Sequence, residues 1–83
     1  MTSGEAGNVT VIDQHVGRRI RGKRRALGLS EDILAQALGI DSGRIEAYER
    51  ATQRVPSEHL GRLSEVFGVP LSYFFPANPH SGL

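Results

Sequence analysis

The 83-residue chain contains no cysteine, which excludes a disulfide framework, a thiolate metal site and a thiol nucleophile. That usage fits a reducing compartment, and the cytoplasm is the expected location. No apolar run approaches the roughly 20 residues that span a bilayer. The opening Met1-Thr2-Ser3-Gly4-Glu5-Ala6-Gly7 lacks the basic and apolar regions of a secretory signal, so neither secretion nor a membrane partner is expected. The glycines form no phosphate-cradling loop between strand and helix. His15, His59 and His80 are scattered, without metal spacing and without a Ser-His-acid set on one face. No metal, cofactor or catalysis is therefore expected. Internal repeats are absent, and so is a strong excess of charge: the formal net charge is +1, which taken whole says little about a polyanionic partner.

The charge that is present is unevenly placed. Six of the ten basic residues, Arg18, Arg19, Arg21, Lys23, Arg24 and Arg25, fall within eight positions, whereas Glu31, Asp32, Asp41, Glu46 and Glu49 crowd the next segment. A chain of this length supports one domain, close to the smallest size that builds a core without staples. Residues 1–12 read as a flexible arm, 13–75 as the folded domain and 76–83 as a flexible tail. The arm carries Glu5 and no Lys or Arg, a poor composition for entering a DNA groove.

Helical signals fill the middle. Asp13 is placed to cap a first helix running to about Leu27, with Gly28 beyond it and Val16, Ile20, Arg24 and Leu27 on the inner face. Ser30 caps a second helix whose Glu31 and Asp32 suit the positive end of the helix dipole. Asp41 caps a third, Ser42 to about Arg50, with Glu46 and Arg50 as an exposed i,i+4 pair. Pro56 suits the first turn of a fourth helix to Phe67, and Pro70 opens a short turn through Phe75. The fold class expected is all-α, a compact bundle of about five short helices.

Between Glu31 and Arg50, apolar or small residues at 34, 35 and 38 are interrupted by Gly39 and Ile40, and helical spacing resumes at Ile45 and Tyr48. With Ala35 where two helices touch, Gly39 at the turn and Glu49 closing the second helix, this pattern resembles the helix-turn-helix of the Xre-like, phage lambda-repressor-like family. The likeness extends to Val16-Gly17-Arg18-Arg19-Ile20-Arg21 and Arg24 to Ser30 upstream. Downstream it takes in Leu60, Leu63, Phe67-Gly68-Val69-Pro70 and Tyr73-Phe74-Phe75.

The resemblance implies a sequence-specific regulator of transcription that inserts helix 42–50 into the major groove of double-stranded DNA. Ser42, Gly43, Arg44 and Ala47 would then meet base edges. Arg44 is the strong reader, because its planar fork matches guanine O6 and N7. Ser30, Gln36, Arg50, Thr52, Gln53 and Arg54 would contact the DNA backbone, Arg54 foremost. Arg24 and Glu49 are implied as a structural ion pair. Departures from the family pattern are Glu31 where a phosphate-binding glutamine is common, Asp41 where threonine or serine is frequent, and Ala51 where glycine often ends the recognition helix. Few phosphate contacts imply two copies on one duplex, a homodimer, with Tyr73 and Phe75 as its expected surface. The alternative reading is an adaptor that uses the same fold to bind a protein partner, motivated by the acidic helix-turn-helix and the missing side chain at Gly43.

Overall fold

Side-chain caps set where the first three helices begin, and a proline precedes the fourth and the closing turn. The computed structural model describes residues 9–76. The first eight residues of the expected arm and the last seven of the expected tail lie outside the described residues. Among the described residues every regular element is helical: α1 (Val11–Ala26), α2 (Glu31–Leu38), α3 (Ser42–Arg50), α4 (Ser57–Phe67) and a closing 3-10 turn, Leu71–Phe74.

The cap of α1 is Thr10 rather than Asp13. Thr10 Oγ1 accepts from the Asp13 N–H at 3.2 Å, and Asp13 Oδ2 accepts from the Thr10 N–H at 2.7 Å, a reciprocal capping box. Val11 and Ile12 thus belong to the helix, although they remain largely exposed. Ser30 and Asp41 accept from Ile33 N–H (3.0 Å) and Arg44 N–H (2.8 Å) as expected of N-caps. Gly39 ends α2 at φ 73°, the left-handed conformation that makes the tight turn into α3.

The core is one cluster contributed by every element, with Ile20, Leu34, Ile45, Tyr48, Leu63 and Phe74 almost wholly enclosed. Leu27, expected inside, is 46 % exposed: it follows the last turn of α1, where Gly28 redirects the chain, and Leu29 packs against the cluster instead. α1 and α2 both pack on α3, and α1 also meets the closing turn.

The α1–α3 contact depends on Gly17. A Cβ there would lie 2.5 Å from the Tyr48 carbonyl oxygen and 2.7 Å from that of Glu49. Only a residue with no side chain lets α1 approach the backbone of α3 so closely. Gly17 therefore sets the position of α3 in the molecule.

Candidate nucleic-acid interface

α3 turns Ile45, Tyr48 and Glu49 inward and leaves Gly43, Arg44, Glu46 and Arg50 exposed, with Ser42 and Ala47 half-buried. The four residues expected to meet bases are thus spread along the outer side of one nine-residue helix. Arg44 donates its backbone N–H to Asp41, and among the described residues its guanidinium has no carboxylate partner. Gly43 acquires a local explanation: a Cβ at this position would stand 3.2 Å from Asp41 Oδ1, crowding the cap.

The acids around α3 are mostly committed. Glu49 grips Arg24 through two bonds, Nε to Oε2 at 2.6 Å and Nη2 to Oε1 at 3.1 Å, while Arg24 Nη1 donates to the Leu29 carbonyl at 2.9 Å. Both side chains are buried, and a fork-to-carboxylate pair satisfied on both sides is the geometry that makes such burial tolerable. The Glu49 hydrogen bond raises the Arg24 pKa, with a further contribution from the charge of Glu31. Glu31 Oε2 lies 3.9 Å from Arg24 Nη2. Its carboxyl is shifted upward, first by burial and then by repulsion from Glu49, against the pull of Arg24. Glu46 and Arg50 form the i,i+4 pair at 3.6 Å.

The residues expected on the DNA backbone divide. All six are exposed, and they differ in the contacts that hold them. Thr52 is turned back: its hydroxyl donates to the Ala47 carbonyl at 3.3 Å and its N–H to the same oxygen at 2.9 Å, closing the end of α3. Arg54 Nε donates to Asp13 at 3.2 and 3.3 Å, tying the loop after α3 to the start of α1. Partial burial works to raise the Asp13 carboxyl. The Thr10 N–H and hydroxyl and the Arg54 guanidinium outweigh it and hold the group below its ordinary range.

Sequence reasoning did not find that tie, because no local pattern links positions 41 residues apart. Nor did it find Gly17, although a glycine inside an otherwise regular helix was the visible signal. His59 is half-buried and shares a 2.7 Å hydrogen bond with the Tyr48 hydroxyl, so it buttresses the inner side of α3. Tyr73 is half-buried under Arg19 and Lys23, whose charged groups lie 4.6 and 5.7 Å from its ring centre. Phe75 is 41 % and Leu71 49 % exposed, whereas Phe74 is sealed in the core.

A family profile described as helix-turn-helix matches residues 20–74. An uncharacterised HTH-type transcriptional regulator of Sinorhizobium medicae is 44 % identical over 71 residues, which is 86 % of this chain and 51 % of that protein. The chain therefore spans about half the length of the first curated relatives it matches. Among solved structures, the restriction-modification controller protein C.AhdI from Aeromonas hydrophila superposes with a TM-score of 0.71 at 27 % identity, covering 76 % of this chain and 91 % of that one. The P22 c2 repressor, solved in complex with a synthetic operator, superposes with a TM-score of 0.70 at 25 % identity, covering 76 % of this chain and 96 % of that one.

Proposed function

Because the chain belongs to the helix-turn-helix family of Xre-like, lambda-repressor-like proteins, we propose that it is a sequence-specific DNA-binding transcriptional regulator that places α3 in the major groove. The observation that carries this reading is the exposed guanidinium of Arg44, free of any described carboxylate, on the outer side of a helix anchored from behind by Ile45, Tyr48 and Glu49. Arg44 reads guanine, a bidentate contact that discriminates by about 1–3 kcal/mol. Ser42 bonds a base or a phosphate, Ala47 touches a thymine methyl, and Gly43 serves the cap rather than a base. Ser30, Gln36, Arg50 and Gln53 hold the DNA backbone, with Arg54 sharing its charge between Asp13 and the duplex. Chromosomal DNA as the partner is consistent with a cytoplasmic location.

Two copies act together, with Phe75 and the outer edge of Tyr73 at their contact. The site is then two-fold, with half-sites about one helical turn, roughly 34 Å, apart or a multiple of it. The competing adaptor reading loses ground because Asp41 is occupied as a cap, Glu46 is paired and Gly43 has a structural reason.

Selection of bound duplexes from a random pool, followed by titration with the intact protein and with Arg44→Ala, tests the assignment. The variant is expected to lose preference at one base pair in each half-site. Unchanged preference and affinity would remove Arg44 as the reader, and wild-type protein that enriches no duplex would remove the DNA reading itself.

A further inference from the structure

The ion pairs among the described residues are not held alike. Arg24 and Glu49 lock at 2.6 Å with both side chains enclosed, and Glu46 pairs with Arg50 inside one helix. The Arg54–Asp13 pair instead joins the loop after α3 to the start of α1. At 3.2 Å it is longer than the roughly 2.7–2.9 Å of a strong charge-assisted bond.

Its two halves are also held unequally. The Asp13 side chain is 12 % exposed and is fixed by Thr10, whose N–H and hydroxyl donate to Oδ2 at 2.7 and 3.1 Å. The Arg54 side chain is 56 % exposed. The main chain around Arg54 is pinned on both sides: Thr52 closes the end of α3 on the Ala47 carbonyl, and Val55 is buried in the core. The loop thus carries Arg54 to the end of α3, and side-chain torsions alone choose between Asp13 and a partner outside the molecule.

We infer that Asp13 is an intramolecular competitor for Arg54 against the DNA phosphate, a latch that sets how tightly the protein holds a duplex. The inference rests on the DNA reading above and adds to it a residue of α1 that itself meets no phosphate. Water weakens a pair this exposed, so a phosphate within a polyanion can displace the carboxylate. Opening costs little in structure, because Asp13 keeps both Thr10 donors and the cap of α1 survives. It does cost affinity, since Asp13 is left with an uncompensated negative charge once Arg54 swings to the duplex. A counterion leaves the DNA at Arg54 while a cation returns to Asp13, which makes the salt dependence shallower than the phosphate contacts alone would give. The latch acts on all sequences alike and leaves base preference to Arg44.

The test titrates the duplex best selected by the wild-type protein, and an unrelated duplex, with Asp13→Asn, Arg54→Ala and the double variant at several salt concentrations. Asparagine retains an oxygen for the Thr10 N–H, Asp13→Gln serves as a second variant compatible with the capping box, and thermal melts check folding. Glu65→Gln, which removes an exposed carboxylate near the far end of α4, controls for net charge. Both Asp13 variants are expected to bind both duplexes about two- to fivefold more tightly. Their slope of log K against log[salt] should be steeper by up to about 0.9, with base preference unchanged. Arg54→Ala should bind roughly three- to tenfold more weakly and abolish the gain from Asp13→Asn, while Glu65→Gln matches wild type. Weaker binding by the Asp13 variants would make Asp13 an orienting group for Arg54 and overturn the latch, as would unchanged binding or a gain that persists beside Arg54→Ala. If Arg54→Ala leaves binding unchanged while Arg44→Ala loses its base preference, the latch is refuted and the DNA reading stands. If the wild-type protein binds no duplex, both fall.

Discussion

Replacing Gly17 by alanine sets two physical effects of opposite sign against each other. Helix propensity alone favours the change by about 0.5–1 kcal/mol, since Gly17 lies inside α1. Packing opposes it. The new methyl would stand 2.5 and 2.7 Å from two backbone carbonyl oxygens of α3, where ordinary contact begins at 3.4 Å. The obstacles are main-chain atoms of a packed helix, with no rotamer to swing aside, so α1 and α3 must separate by roughly 1 Å. Overpacking of this kind costs about 1–3 kcal/mol, occasionally more, and a net loss of about 1–2 kcal/mol follows. In a chain of this size each kcal/mol moves the melting temperature by about 4–8 °C.

Gly22→Ala is the internal control: it sits on the same helix, is exposed, and has nothing within 4 Å of an added Cβ. It should raise the melting temperature by a few degrees, while Gly17→Ala lowers it by roughly 5–15 °C. Circular-dichroism melts of the two variants decide the matter. A rise for both would show that the α1–α3 approach is not closed by Gly17 and would undo the account of how α3 is positioned. Gly17→Ala should also weaken DNA binding at temperatures where it remains folded, because α3, the helix proposed to read DNA, is displaced from behind.

Other perturbations have equally definite signs. Removing one member of the Arg24–Glu49 pair, as Arg24→Met or Glu49→Met, should cost about 3–5 kcal/mol, while the double variant is less destabilised than the sum, since no buried charge is left alone; a double-mutant cycle by urea unfolding measures the coupling, and additive losses would refute it. Ala51 holds φ 61° at the end of α3, so Ala51→Gly should stabilise by about 0.5–1 kcal/mol, the relief of left-handed strain exceeding the added unfolded-state entropy. The raised Glu31 pKa means that its ionisation opposes folding: its favourable contribution is present below the unfolded-state pKa and lost as pH rises through the folded value. Glu31→Gln should therefore raise the melting temperature at pH 7 more than at pH 3, and, on the proposed DNA reading, should tighten DNA binding three- to tenfold, about 1 kcal/mol, by removing a negative charge near the start of α2. Asp13 has the opposite sign. Its lowered pKa gives stability that is present above the unfolded-state value and lost as pH falls through the folded one, so Asp13→Asn should flatten the acid limb of the stability profile.

Much of this molecule is written in short-range pattern. Ser30 and Asp41 as caps, Gly39 at the turn, and the recurrence of Leu34, Leu38, Ile45 and Tyr48 are determined within one or two helical turns, and these set the helix-turn-helix whatever surrounds it. Arg44 as an outward residue of α3 was legible for the same reason. Long-range placement was not. Whether Thr10 or Asp13 caps α1 depended on a reciprocal bond that either residue was equipped to make. The diversion of Arg54 to Asp13, the commitment of Arg24 to Glu49 and the placing of Arg19 and Lys23 over Tyr73 arise only when elements distant in the chain are brought together. Packing decides these because a guanidinium takes the partner that the fold brings within reach, and a one-dimensional pattern carries no record of that distance. Gly17 joins both scales: a missing side chain at one position fixes how close two helices lie, and hence how far α3 stands out from the body.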